Sequence, residues 1–352
     1  MEEWKVGIIG CGGIARTHAK GYLNLPYTRI VAAADINPEA SRKFKEEFSV
    51  KSSYTNYEEM LKEERLDIVS VCTWAQHHAP ATISAARSGV RAILCEKPMT
   101  TSLGDADRMI ESCMEKGVKL AVAHQHRFDP INALARKLVA DGLIGKPLLL
   151  HKRTEGGLLN NGSHLIDTAR YWLSDIEAEW VMGQVERKTD RYERGTRTED
   201  LCSGLVCFKG GTRLIVEVDT PTPLMAGEDF YDTFIFGSEG TIRLNEDGAS
   251  LQNPSDKGWR RIDAASDTNE FAELIDWIEG KRVHRCNAGA IRGTMEIMMA
   301  IYESVRVRGL VRLPLVTEES PLEMMVNSNA LPVEKPGKYD IRLPRELWGT
   351  LK

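Results

Sequence analysis

Nowhere in the chain do apolar residues approach the run of roughly 20 that a membrane-spanning helix needs, and Met1 is not followed by a basic start and an apolar stretch. A cytoplasmic protein is therefore expected, neither membrane-embedded nor secreted. A surplus of positive charge is also missing. The 352 residues carry a net charge of -5, with 28% charged residues mixed in sign, and such a balance gathers neither nucleic acid nor an anionic membrane surface. Small molecules and further copies of the same chain remain as partners. The seven cysteines are odd in number and scattered, and Cys72, Cys95 and Cys207 lie inside apolar strand-like runs, so they outline neither a disulfide framework nor a zinc site. Two histidine pairs, His77-His78 and His124/His126, have no nearby cysteine or carboxylate set to complete a metal site. No metal is expected.

The chain is long enough for two domains of ordinary size. Its first third alternates strand and helix signals. Val6-Gly7-Ile8-Ile9 leads into Gly10-Cys11-Gly12-Gly13-Ile14-Ala15, which runs directly into a helical stretch from Ile14 to Leu25. Gly10 permits the tight turn, Gly12 lets a backbone approach a pyrophosphate, and Ala15 allows close helix packing, so phosphate can rest on the helix N-terminus. A second strand, Arg29 to Ala34, ends in Asp35, at the distance where a carboxylate accepts hydrogen bonds from adenosine ribose hydroxyls. Asp35 would repel a 2′-phosphate, and the next residue is Ile36. NAD is expected rather than NADP. Further strands at Asp67–Cys72, Ala92–Cys95 and Val118–Ala123 alternate with helices, which implies a parallel sheet covered on both faces.

Two strand exits flank the expected nicotinamide end: Thr73-Trp74-Ala75-Gln76-His77-His78 and Glu96-Lys97-Pro98. Ligands of open α/β sheets lie beyond the carboxyl ends of the strands, so Lys97 occupies a place where site residues belong. Trp74 either stacks on the nicotinamide ring or simply packs. The same tripeptide recurs as Glu334-Lys335-Pro336 in a polar, proline-rich tail with no apolar strand before it, so only the first copy has a site's context.

After His124-Gln125-His126-Arg127-Phe128-Asp129-Pro130 the alternation stops. Longer strands follow, at Leu148–Thr154, Trp180–Glu186, Leu201–Phe208, Arg213–Asp219, Asp232–Phe236 and Thr241–Leu244, with hairpin turns at Gly210-Gly211 and Ser238-Glu239-Gly240. The expected boundaries are a dinucleotide-binding domain over 1–125, a substrate and oligomerisation domain over 126–315, and a tail over 316–352 lying along the second domain or a partner. Two amphipathic helices, one with Phe271, Leu274, Ile275 and Ile278, the other with Ile291, Met295, Met298, Tyr302 and Val305, are expected to cover one face of the second sheet. A homodimeric or homotetrameric sheet contact would hide the other. The arginine-rich stretch from Glu186 to Asp200 reads as a solvated hairpin loop, or as a reach toward an anionic substrate or neighbouring subunit.

The segment from Glu155 to Asp167 is glycine-rich and runs into a helix. If that helix starts near Asn161 or Gly162, Asn160, His164 and Asp167 share one face. His164 is then a candidate acid/base group. Asp167 either binds a substrate hydroxyl or caps local structure.

The loop Gly10 to Ala15, Asp35, Thr73 with His78, Cys95-Glu96-Lys97-Pro98, Arg127-Phe128-Asp129-Pro130, Gly162 to Asp167 and Ala300 to Ser304 together resemble the Gfo/Idh/MocA oxidoreductases, over about residues 4 to 308. The resemblance implies an α/β protein: an N-terminal Rossmann domain, a C-terminal α+β domain with a large, mostly antiparallel open sheet, and tightly held NAD(P). Its expected activity is oxidation or reduction of a sugar or cyclitol carbon. It assigns Lys97 and His164 as catalytic residues, and Asn160, Asp167, Arg127 and Arg153 as substrate contacts. The cofactor contacts expected are Gly10, Gly12, Gly13, Ile14, Asp35, Thr73, Trp74, His78, Glu96, Lys97 and Gln125. Two departures matter. Asn160 stands where the family often has an aspartate and cannot accept a proton, which leaves His164 as the sole partner of Lys97. The loop Thr73-Trp74-Ala75 replaces the usual Thr-Pro-Asn.

Two other activities suit nearly the same residues. One is a glycosidase or lyase that oxidises a sugar carbon transiently, eliminates the aglycone and reduces again. The other is a dinucleotide-sensing regulator without chemistry.

Overall fold

The computed structural model describes residues 3–221, 232–245 and 248–340. They fall into two compact units, one of residues 1–124 with 268–292, the other of 125–267 with the chain from Gly293 onward. The contiguous boundaries expected from the sequence therefore need correction. A helix near residue 270 leaves the second segment and joins the first unit.

In the first unit the strands are β1 (Trp4–Ile9), β2 (Thr28–Ala34), β3 (Ser52–Tyr54), β4 (Ile68–Val71), β5 (Ala92–Cys95) and β6 (Lys119–Val122). They form a parallel sheet in the order β3-β2-β1-β4-β5-β6, the dinucleotide-binding arrangement with its switch point between β1 and β4. Every residue of β4 and β5 is buried, as a strand covered on both faces requires. The helices are α1 (Gly13–Leu23), α2 (Pro38–Phe48), α3 (Tyr57–Glu63), α4 (His78–Arg87) and α5 (Leu103–Lys116). Local chemistry sets their ends. The Asn37 side chain caps α2 ahead of Pro38, and the Ser102 side chain accepts from Asp105 N to cap α5, which closes on Gly117 in the left-handed region.

The second unit contains α6 (Pro130–Ala140), β7 (Pro147–Thr154), α7 (Ser163–Trp172), β8 (Ala178–Glu186), β9 (Thr189–Glu193), β10 (Thr196–Arg197), β11 (Leu201–Phe208), β12 (Arg213–Val218), β13 (Thr233–Gly237), β14 (Thr241–Asn245), β15 (Gly248–Gln252) and β16 (Arg260–Ile262). Next come α8 (Glu270–Ile278), which belongs to the first unit, α9 (Ala288–Val307), which begins there, and then β17 (Val311–Arg312), α10 (Pro321–Asn327) and β18 (Lys335–Asp340). Nine strands form one sheet in the order β16-β15-β14-β13-β7-β12-β11-β8-β17, and β10-β9-β18 form a small second one. Within the large sheet β7 and β12 run parallel; its other pairs are antiparallel. Met182, Ile215 and Phe236 stay exposed on it, at 47%, 36% and 38%.

Of the two helices expected over that sheet, only α9 reaches it, through Ile301 against Gly183 and Gly204. The apolar stripe of α8 packs into the first unit, where Phe271, Leu274 and Ile275 join the core around Tyr22 and Ile8. Gly21 makes this possible: a Cβ there would lie 2.0 Å from the Phe271 ring. The arginine-rich stretch is likewise not a solvated loop. Arg187 pairs with Asp190, Arg191 reaches Asp219 at 3.2 Å and the carbonyls of Glu199 and Asp200, and Arg197 binds Glu323 and Asn327 of α10. The tail adds β18 to β9; residues 341–352 lie outside the described ones. Among the described residues no helix is long and apolar enough to cross a membrane, and no group of three or more His, Cys, Asp or Glu could hold a metal ion.

Candidate active site

In the first unit the glycine loop follows β1. Gly10 has φ +89°, and a Cβ there would stand 2.8 Å from the Cys72 backbone, so the turn after β1 and the end of β4 can meet only at glycine. Above Gly12 and Gly13 an added Cβ would meet nothing within 4 Å. Helix α1 starts there with no side-chain cap and no acidic residue in its first turn. An anionic pyrophosphate fits this end, because its backbone N–H groups and dipole favour negative charge. Asp35 closes the loop: its Oδ2 accepts from Cys11 N at 2.7 Å and its Oδ1 from Asn37 N at 2.8 Å. A carboxylate has about four acceptor positions, so two remain for ribose hydroxyls. Ile14 is 36% exposed and Trp74 50% exposed, so Trp74 is not packed into the core. The Thr73 hydroxyl donates to Trp74 O at 3.4 Å.

Two expected cofactor contacts are placed elsewhere. His78 is 1% exposed, with Nδ1 2.9 Å from Pro98 O and Nε2 3.0 Å from Thr73 O. Burial pushes its pKa down against those carbonyls, and it fastens the two loops together from beneath. Glu96 turns inward too. Its Oε1 lies 2.9 Å from His18 Nε2, and its Oε2 accepts from Lys97 N at 3.1 Å. His18 continues to Ser70, which also bonds Tyr22. Burial disfavours charge on His18, yet Cys72 and Glu96 beside it hold its pKa well above the ordinary value. For Glu96 burial is overruled by His18, and its pKa falls. Glu270, at the start of α8, is pushed up to about 7 by burial, with His18 opposing and Glu96 adding. Its buried Oε2 has no hydrogen-bond partner. Lys97 itself is half-buried at the end of this chain of contacts.

In the second unit a single π-helical turn, Gly157–Gly162, precedes α7. Such turns are rare and occur mostly as short insertions, frequently at functional sites. It displaces the helix start to Ser163, so Asn160 belongs to the turn and not to the face of α7 that carries His164. Two carboxylates pin the turn. Asp219 accepts from Gly156 N and Gly157 N, both at 2.8 Å, and Glu199 accepts from Leu158 N and the Tyr302 hydroxyl, both at 2.6 Å. His164 and Asn160 are half-buried.

Arg127 and Asp167, expected to contact substrate, instead bind each other. Both side chains are 0% exposed, joined by Arg127 Nε to Oδ2 and Nη2 to Oδ1, each at 2.8 Å. Asp167 also accepts from Thr294, and Arg127 extends to Asp175 at 2.7 Å. This fork geometry anchors the 3-10 turn Gln125–Phe128 to α7. Arg153, on β7, bonds Thr220 and Glu217 at 2.9 and 3.4 Å. Gln125 is exposed.

Sequence reasoning missed two residues that contact α7. Lys152 donates to the Thr168 hydroxyl and lies 4.2 Å from the Trp172 ring centre. Burial lowers its pKa to about 7, with Asp167 opposing. His126 meets the His164 ring edge to face, centroids 4.5 Å apart, while its Nδ1 is 2.6 Å from Asp129.

Residues 4–124 match the oxidoreductase family with an NAD-binding Rossmann fold, and residues 150–243 match the GFO/IDH/MocA C-terminal domain. Among curated relatives, the D-apiose dehydrogenase of Paraburkholderia graminis is 29% identical over 70% of this chain and 69% of its own length. The myo-inositol 2-dehydrogenase of Thermotoga maritima is 27% identical over 68% and 74%. A solved structure of the WlbA dehydrogenase from Bordetella pertussis, in complex with NADH and UDP-GlcNAcA, has a TM-score of 0.74 at 20% identity over 89% of this chain and all of its own. That likeness is one of fold.

Proposed function

The chain belongs to the Gfo/Idh/MocA family of NAD-binding oxidoreductases, and on that footing we propose that it interconverts a secondary hydroxyl and a ketone on a sugar, glycoside or cyclitol, with Lys97 and His164 as acid/base groups. The carrying observation is how firmly the segments bearing these two residues are held. Lys97 follows directly on Glu96, locked to buried His18, and His164 follows a turn pinned by Asp219 and Glu199. Positioned bases of this kind contribute about 10²–10⁴ in rate. The relatives named for apiose, myo-inositol and 1,5-anhydro-D-fructose supply the substrate class.

When bound, the dinucleotide supplies the acceptor or donor of hydride. Gly12, Gly13 and the start of α1 hold its pyrophosphate, and Asp35 its ribose, which favours NAD. His164 removes the proton from the substrate hydroxyl in the oxidative direction. Lys97, when charged, stabilises the developing alkoxide. Asn160 orients His164 or the sugar, and Arg153 serves the substrate from β7. Arg127 and Asp167 act by fixing the backbone that carries the site. A second copy of the chain covers the exposed face of the nine-stranded sheet, as Met182, Ile215 and Phe236 suggest.

A panel of monosaccharides, glycosides, cyclitols and sugar nucleotides, incubated with the protein and NAD, tests the activity by absorbance. Net NADH formation with a sugar or cyclitol is expected. Conversion of a glycoside with no net NADH would replace this reading by the transient-oxidation cycle.

A further inference from the structure

Asn160 cannot accept a proton, so a carboxylate serving His164 must come from elsewhere in the fold. The second unit contains one, linked through a second imidazole. His126 lies in the turn Gln125–Phe128, and Asp129 directly precedes α6 without capping it by a side-chain hydrogen bond. The Asp129 carboxylate is directed instead to His126 Nδ1, at 2.6 Å. Buried Asn132 holds both, donating to His126 O at 2.8 Å and to Asp129 Oδ2 at 3.4 Å, and Trp172 Nε1 holds Asn132 in turn at 3.2 Å. With a carboxylate as its acceptor, Nδ1 carries the hydrogen and Nε2 is left as the basic nitrogen of the ring. This ring and that of His164 make a T-shaped contact, with the centroids 4.5 Å apart and the planes at 72°.

We propose that His126, held by Asp129, is the second acid/base group of the site, passing to solvent the proton that His164 takes from the substrate hydroxyl. The proposal rests on the oxidoreductase reading above and concerns the proton alone. In the oxidative direction the hydroxyl O–H bond breaks, the proton goes to the His164 imidazole, then to His126 and then to water. The hydride leaves the same carbon for the bound dinucleotide with its electron pair, so the substrate ends as a ketone. His126 suits the outer position because 44% of its side chain is exposed, whereas Nδ1 of His164 is buried. The titratable groups in contact with His126 are Asp129 at the start of α6 and His164 on α7. The other charge of its turn, Arg127, is engaged by Asp167 and Asp175.

The full-length protein, labelled at its histidine rings, is titrated by NMR as wild type, His126→Asn and Asp129→Asn. No substrate is needed for this arm. Loss of the neighbouring ring is expected to raise the His164 midpoint, and loss of the Asp129 carboxylate to move it as well. In parallel, with whichever sugar or cyclitol of the panel gives NADH, His126→Asn is expected to lower kcat about tenfold or more, to shift the acidic limb of the pH profile, and to regain rate with added imidazole. An unchanged titration of His164 in these variants overturns the proposal whether or not a substrate is found. A fall in kcat with an unshifted pH profile and no imidazole rescue also overturns it, because it marks a merely structural residue. If the whole panel yields no NADH, the oxidoreductase reading fails separately, and the titrations still decide whether the two rings are coupled.

Discussion

Each unit of the chain fastens the segment bearing one proposed base to a buried ionic group, but the two anchors differ in kind. In the first unit the anchor is Glu96 with His18 and Glu270 close by, titratable groups of which Glu270 changes protonation at about 7. In the second it is Arg127 forked onto Asp167 and Asp175, where the guanidinium keeps its charge under any physiological condition. The fixed anchor ties a turn to a helix and holds it at any pH. The titratable anchor makes the first unit sensitive to pH, and most of the acid-side variation in stability should originate there.

Asp167→Asn should have the largest effect on that contrast, since it leaves Arg127 buried beside a neutral amide. A loss of about 3–5 kcal/mol is expected, read as a lower urea midpoint with little dependence on pH. A loss confined to one end of the pH range would remove the distinction between the anchors. Glu270→Gln tests the other side. The folded carboxyl titrates at about 7 against an ordinary 4.5, so it keeps its proton where the unfolded chain has released it, and stability falls as pH rises from about 4.5 to 7. The variant should lose that fall, gaining on the order of 2–3 kcal/mol relative to wild type at pH 8 compared with pH 4.5. Equal gains at both pH values would contradict the assignment.

Lys152 gives the smallest effect and an exception to the contrast, a titratable group in the second unit. Its pKa of about 7 lies below the ordinary 10.5, so the unfolded chain binds the proton more readily between those values. The contribution of this group to stability therefore rises with pH across that window. Lys152→Met should raise stability at pH 7 by about 1 kcal/mol or more, with the gain shrinking toward pH 10. A gain independent of pH would assign it to packing alone.

Much of the first unit was legible in the sequence because β4 and β5 are buried on both faces and read as apolar runs interrupted only by Ser70. The glycine loop and Asp35 carry their reasons locally. Strand β3 was missed, since Ser52–Tyr54 is short and polar and has only β2 to mark it. The stripe on α8 showed that it packs but not on which sheet; Gly21, some 250 residues earlier, decides that. The site was less legible for a similar reason. Local spacing put Asp167 on a face with His164, but its partner Arg127 lies 40 residues away, and only the fold brings them together. His126 was read as half of an incomplete metal pair, and nothing near it in sequence indicates that His164 will lie against it.

The central claim is that Lys97, held in place through Glu96 and His18, takes part in chemistry and not in cofactor capture. Lys97→Met, assayed for NADH formation with the best sugar or cyclitol of the panel and for NAD binding by calorimetry, tests it most directly. The account predicts NAD affinity within a few-fold of wild type and turnover reduced about a hundredfold or more; turnover left unchanged with NAD still bound would contradict it.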